Sequence, residues 1–158
     1  MKTRVPAVQG WLNIDPAHPR LIGTKCTKCG SIFFPRETVR CRNPRCGHKE
    51  LADTELSPKG TLWSFTGAEY QPPAPYVPRT NPFQPFAIAA VELAAEKITI
   101  LGQVVEGVKV ADLKIGQEME LTLDTLLEDD ETETIVWKWK PVAPEARQGE
   151  KTPVGSAA

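Results

Sequence analysis

Four cysteines constrain this chain more than any other feature, and all fall within residues 23–50. Their spacing is Cys26-x2-Cys29-x11-Cys41-x4-Cys46. Zinc takes four soft ligands in a tetrahedron, and two short cysteine loops facing each other supply them. In the first loop, CTKCGSIFFP, Gly30 follows the second cysteine, where the chain must turn tightly so that backbone N–H groups point at sulfur. Ile32, Phe33 and Phe34 follow as the apolar strand on which so small a module packs. The second loop, CRNPRCG, repeats the glycine at Gly47, and its Asn-Pro pair supplies the extra turn that a four-residue gap needs. Four thiolates fill the tetrahedron and leave no position for water, so the expected metal is a structural Zn2+. A disulfide pair and a rubredoxin-type iron site are the alternatives. The iron site usually has two residues inside both loops, and the x4 loop departs from that. His48 is expected on the surface.

Composition narrows the class. Fifteen prolines in 158 residues predict much loop, few long helices and a β-rich plan. No apolar run is long enough for a transmembrane helix, and MKTRVPAVQGWLNID lacks the apolar core of a secretory signal. A cytoplasmic location is expected, where cysteines serve as metal ligands before they serve as bridges. The formal net charge of −1 argues against a dedicated nucleic-acid binder. It hides an asymmetry, however. Residues 20–50 carry Arg20, Lys25, Lys28, Arg36, Arg40, Arg42, Arg45 and Lys49 against Glu37 and Glu50, while residues 91–140 are acidic. A basic front module and an acidic back module follow, and the first could meet an anionic partner.

Residues 1–22 read as an arm, extended or with one short helix, because Pro6, Pro16 and Pro19 break anything longer. Residues 23–55 form the zinc ribbon, and LSPKG ends it with a turn. Strand patterns then occupy 61–70, 86–94, 97–105, 117–126 and 134–142, with Gly102 read as a bulge or bend. VKVADLKIG is a short connector closed by Gly116, and LEDDETE is a solvated acidic loop. In the last strand Ile135, Trp137 and Trp139 share one face, and Val136, Lys138 and Lys140 the other. The fold class is mainly β. An N-terminal four-cysteine zinc ribbon precedes a five-stranded Greek-key barrel over 56–143, which closes such a set without open edges. A β-sandwich is the runner-up. Residues 144–158 have the composition of a disordered tail.

No catalytic constellation stands out. His18 and His48 are the only histidines, and nucleotide-binding glycine motifs are absent. The least ordinary segment is YQPPAPYVPRTNPFQPF, residues 70–86. Its prolines lower the ordering cost of a long loop, so Tyr70, Tyr76 and Phe83 can be presented rigidly to a ligand or partner, or can serve as a lid on the barrel.

The combination of PRLIGTKCTKCGSIFFPR, CRNPRCG, LSPKGTLWSFT, PFAIAAVEL and LKIGQEMEL resembles the acyl-CoA-associated OB-fold proteins with an N-terminal rubredoxin-like zinc ribbon, over about residues 19–142. The resemblance implies that Cys26, Cys29, Cys41 and Cys46 are the zinc ligands. It implies a non-catalytic accessory subunit of a thiolase-like enzyme, in a hetero-oligomer that makes or breaks carbon–carbon bonds of acyl-CoA substrates. Such a subunit scaffolds its partner and in some members lines the acyl-CoA pocket. In this chain Lys25, Lys28, Arg36, Arg40, Arg42 and Arg45 are the candidates to meet CoA phosphates. Residues 1–18 are short and proline-broken where many relatives carry a longer helical lead-in. The alternative function is a single-stranded nucleic-acid binding module, with Trp63, Phe65, Trp137 and Trp139 stacking on bases. The acidic barrel opposes it.

Overall fold

The computed structural model describes residues 1–143; the expected tail, 144–158, lies outside them. In chain order the strands are β1 (Thr3–Pro6), β2 (Leu12–Asn13), β3 (Arg20–Cys26), β4 (Ile32–Phe33), β5 (Leu51–Glu55), β6 (Lys59–Ala68), β7 (Phe86–Leu93), β8 (Ile98–Gln103), β9 (Glu118–Glu128) and β10 (Thr132–Pro141). One 3-10 turn, Val110–Asp112, interrupts them between β8 and β9. No helix among the described residues is long and apolar enough to cross a membrane.

The arm is extended. β1 pairs in parallel with β10, from Thr3↔Thr132 to Pro6↔Ile135, and β2 pairs with β3 through Leu12↔Leu21. β3 is the spine of the ribbon and is flanked antiparallel by β4 and β5, with Thr24↔Phe33 and Cys26↔Leu51 in register. The remaining five strands run in the order β10-β9-β6-β7-β8, all antiparallel. Their patterning follows the two-residue period of a half-buried strand. Ala87, Ala89, Val91 and Leu93 of β7 and Met119 and Leu121 of β9 all point into the core.

This is the strand order of an OB-fold, but the barrel is loose. Its end strands, β8 and β10, meet through one parallel bridge, Val104↔Trp139. The expected full closure is therefore corrected. Two indoles occupy the gap between these strands. Trp137 Nε1 donates to the Leu101 carbonyl at 3.2 Å, where a backbone ladder would otherwise run. Gly102 is not a bulge either, since β7 and β8 stay in register from Ile88↔Gln103 to Leu93↔Ile98. It is a site of close approach. A Cβ there would stand 2.8 Å from Trp139 Cδ1 and 2.9 Å from Trp137 Nε1.

The acidic loop is shorter than expected, because β9 and β10 run into it from both sides. Asp129 Oδ1 accepts the N–H groups of Glu131 (2.8 Å) and Thr132 (2.7 Å), which closes the chain into a tight turn. The hairpin's irregularity lies instead between Thr134 and Ile135.

Ribbon and barrel share a core. Leu12, Leu21 and Leu56 belong to the same buried cluster as Leu62, Val91, Met119 and Trp139. Phe34, directly after β4, packs edge-on against Trp11 at 5.5 Å and Trp137 at 5.8 Å. Gly102→Ala is expected to destabilise the chain by about 1–3 kcal/mol, through overpacking against indoles that have no room to retreat. A urea unfolding midpoint unchanged from wild type would refute the close approach.

Candidate metal centre and barrel cavity

The four cysteine sulfurs lie within 4.8 Å of one another. Cys26 and Cys46 Sγ are 3.8 Å apart, and Cys29 and Cys41 Sγ are 3.5 Å apart. Zinc–thiolate bonds of about 2.3 Å give a regular tetrahedron with edges of about 3.8 Å, whereas a disulfide needs about 2.05 Å. The donor set therefore fits a tetrahedral metal with four thiolates. When bound, such a metal supplies a cross-link between two loops, with no open coordination position.

Local chemistry builds both loops. β3 delivers Cys26, whose carbonyl accepts Gly30 N–H at 3.0 Å; Gly30 turns with φ +75°. In the second loop Asn43 makes the turn. Its carbonyl accepts Cys46 N–H (2.9 Å) and Gly47 N–H (3.2 Å), and its Oδ1 accepts Arg45 N–H at 3.0 Å. Cys26 is held below the ordinary thiol range, first by the Cys29 backbone N–H, against the opposing effect of burial. The Ser31 hydroxyl and then its N–H bring Cys29 down to about 6. Burial pushes Cys41 up to about 12, so that thiol keeps its proton at neutral pH unless a metal displaces it.

A second feature is a cavity of about 680 Å3 between the proline-rich stretch and the β8–β9 connector. Tyr76, Phe83 and Phe86 form its aromatic wall, meeting edge-on at 6.4 Å and 6.0 Å. Lys138 and Arg79 also line it. Each stands 2.6 Å from the same carboxylate oxygen, Asp124 Oδ2. Lys138, on the face of β10 opposite Trp137 and Trp139, is only 3% exposed and lines the cavity beside the proline-rich loop. Burial raises the Asp124 pKa, but hydrogen bonds from Lys138 and Arg79 outweigh it, and the net shift is downward. The carboxylate's stabilising effect is therefore complete above its unfolded pKa and is lost as pH falls through the lowered folded value.

With this geometry in view, the comparisons with known proteins are specific. Residues 15–52 match the family described as ChsH2, rubredoxin-like zinc ribbon domain, and residues 53–124 match ChsH2, C-terminal OB-fold domain. A DUF35 domain-containing scaffold protein of Methanocaldococcus jannaschii is 31% identical over 143 residues, covering 85% of this chain and 90% of the relative. The chain belongs to the ChsH2 (DUF35) family. Benzoylsuccinyl-CoA thiolase subunit BbsA of Geobacter metallireducens is 30% identical over 130 residues, covering 82% of this chain and 80% of that one. A solved structure titled Ltp2-ChsH2(DUF35) aldolase aligns with TM-score 0.55 and 26% identity, over 77% of this chain and 84% of that chain.

The structure sorts the other candidates of this ChsH2-family chain. Tyr76 and Phe83 come together at the cavity, whereas Tyr70 is 80% exposed and is not among the residues lining it. Arg36 is paired with Asp53 and Arg42 with Glu37, so both brace the ribbon. Glu37 itself is buried and caps the N–H groups of Thr38 and Val39. Lys25, Lys28, Arg40 and Arg45 are exposed. The nucleic-acid quartet does not share a face. Trp63 is 62% exposed but Trp139 is fully buried, and Trp137 is held by Leu101 and Phe34.

The sequence reading missed Arg79, Asp124 and Lys138 as a group. One signal was available: Arg79 is the only charged residue in the stretch 70–86.

Two outcomes are expected. Purified protein should contain one zinc per chain, and Cys41→Ser should lose it together with the cooperative melt; a variant that keeps both would refute the centre. Asp124→Asn should destabilise by about 2 kcal/mol at pH 7, because Lys138 is left buried beside a neutral group. That difference should shrink when unfolding is repeated below about pH 4. A pH-independent difference would refute the linkage.

Proposed function

We propose that this chain is the zinc-bearing, non-catalytic subunit of a thiolase-like enzyme that makes or breaks a carbon–carbon bond in an acyl-CoA substrate. The observation that carries the reading is the match, across both ribbon and barrel, to chains named as thiolase subunits and DUF35 scaffold proteins. The solved relative whose title pairs ChsH2 with Ltp2 as an aldolase supports the same class of bond chemistry.

The chain's own residues suit an accessory role. Its metal ligands form a closed set, which favours holding shape over activating water. The two histidines face carboxylates, His18 of the arm with Glu55 at 3.0 Å and His48 of the ribbon with Glu50 at 3.6 Å, and neither lines the barrel cavity. In this reading Cys26, Cys29, Cys41 and Cys46 hold the zinc. The exposed Lys25, Lys28, Arg40 and Arg45 are the cations left to attract CoA phosphates. The complex works in the cytoplasm, whose reducing poise keeps the thiols available as ligands.

The test is purification of the tagged chain from its native host. A thiolase-like protein should accompany it in near-stoichiometric amount, and acyl-CoA turnover should require both chains. Full turnover by the isolated chain would end the proposal.

A further inference from the structure

We propose that the barrel cavity is a binding site for an organic monocarboxylate, with the carboxylate held by Lys138 and Arg79 and the apolar body against Tyr76, Phe83 and Phe86. The binding itself needs no partner.

Donor counting is the starting point. Lys138 carries three N–H donors and Arg79 five. Asp124 already accepts three donors, its Oδ2 taking both cations at 2.6 Å and its Oδ1 the Thr125 N–H at 2.8 Å. Two cations thus share one carboxylate and keep donors to spare, while both line the cavity. The trio carries one net positive charge at a place where Lys138 is nearly sealed from water. A buried cation with unspent donors favours an acceptor that brings negative charge.

The remaining charges decide which anion. Glu106 stands 3.6 Å from Arg79 but is 73% exposed. Glu69 and Lys109 line the cavity as well and offset one another. With Glu106 and Glu69 also lining the cavity, one added negative charge is tolerated better than two, which favours a monoanion over a phosphate dianion. The rest of the wall is aromatic and aliphatic, and the volume lies in the range that encloses a small organic ligand. An aromatic or branched acid of moderate size fits both halves of the site.

The experiment is calorimetric titration of the isolated, zinc-loaded chain with 4-phenylbutanoate, with its primary amide, and with 3-phenylpropyl phosphate. The carboxylate should bind saturably and at least tenfold tighter than either comparison probe, consistent with a charge-assisted hydrogen bond of about 1.5–3 kcal/mol. Lys138→Met and Arg79→Gln should each weaken the carboxylate about tenfold and leave the amide unchanged. If Lys138→Met does not fold, Arg79→Gln decides, because that side chain is 35% exposed. Absence of saturable carboxylate binding, equal binding of acid and amide, tighter binding of the phosphate, or an unaffected Arg79→Gln would each overturn the proposal. These outcomes are separable from the accessory-subunit reading, since recovery of a partner chain depends on none of them.

Discussion

The two cysteine loops of the ribbon depend on four sulfurs being held at tetrahedral separation. The ribbon's strands are seven, two and five residues long, too short to bury a core of their own. Backbone N–H groups of Lys28, Cys29, Ser31 and Asn43 lower the cysteine thiols, while burial pushes Cys41 up. A metal replaces the thiol protons and ties the two loops together. The long x4 loop is no obstacle, because Asn43 absorbs the extra residues with its carbonyl and its side chain.

Beside the shared leucine core, one ring links the cysteine loops to the barrel joint. Phe34 follows the first cysteine loop and packs on Trp137 of β10. Trp137 in turn bonds the β8 backbone, and Trp139 lies beside it against Gly102. The joint between β8 and β10 is thus filled by side chains in place of a hydrogen-bonded ladder. This leaves the barrel loosely closed, with the proline-rich loop and the β8–β9 connector enclosing a cavity beside it.

Much of this was legible in the sequence, for identifiable reasons. Cysteine spacing and the following glycines specify the knuckles because few backbones can point four sulfurs at one centre. The unbroken apolar run of 86–94 and the strict alternation of 117–126 both specify strands, the first buried and the second with one buried face. Three things were not legible. Alternation set Lys138 on the face opposite Trp137 and Trp139, and nothing local revealed that it would be buried beside a loop more than fifty residues upstream in the chain. Gly102 looked like a bulge, because a glycine in a strand is required equally by a bend and by a ring packed flat against it. The basic residues of the ribbon read as one patch, although Arg36 and Arg42 are committed to Asp53 and Glu37, a choice set by tertiary contacts.

The central claim is that the metal is a closed structural clamp and that reaction chemistry belongs to a partner chain. Zinc-edge X-ray absorption on the purified complex, with and without acyl-CoA, tests it most directly. The account predicts a single shell of four sulfurs at about 2.3 Å that does not change when substrate is added. An oxygen or nitrogen ligand in that shell, or a shell that changes with substrate, would contradict it.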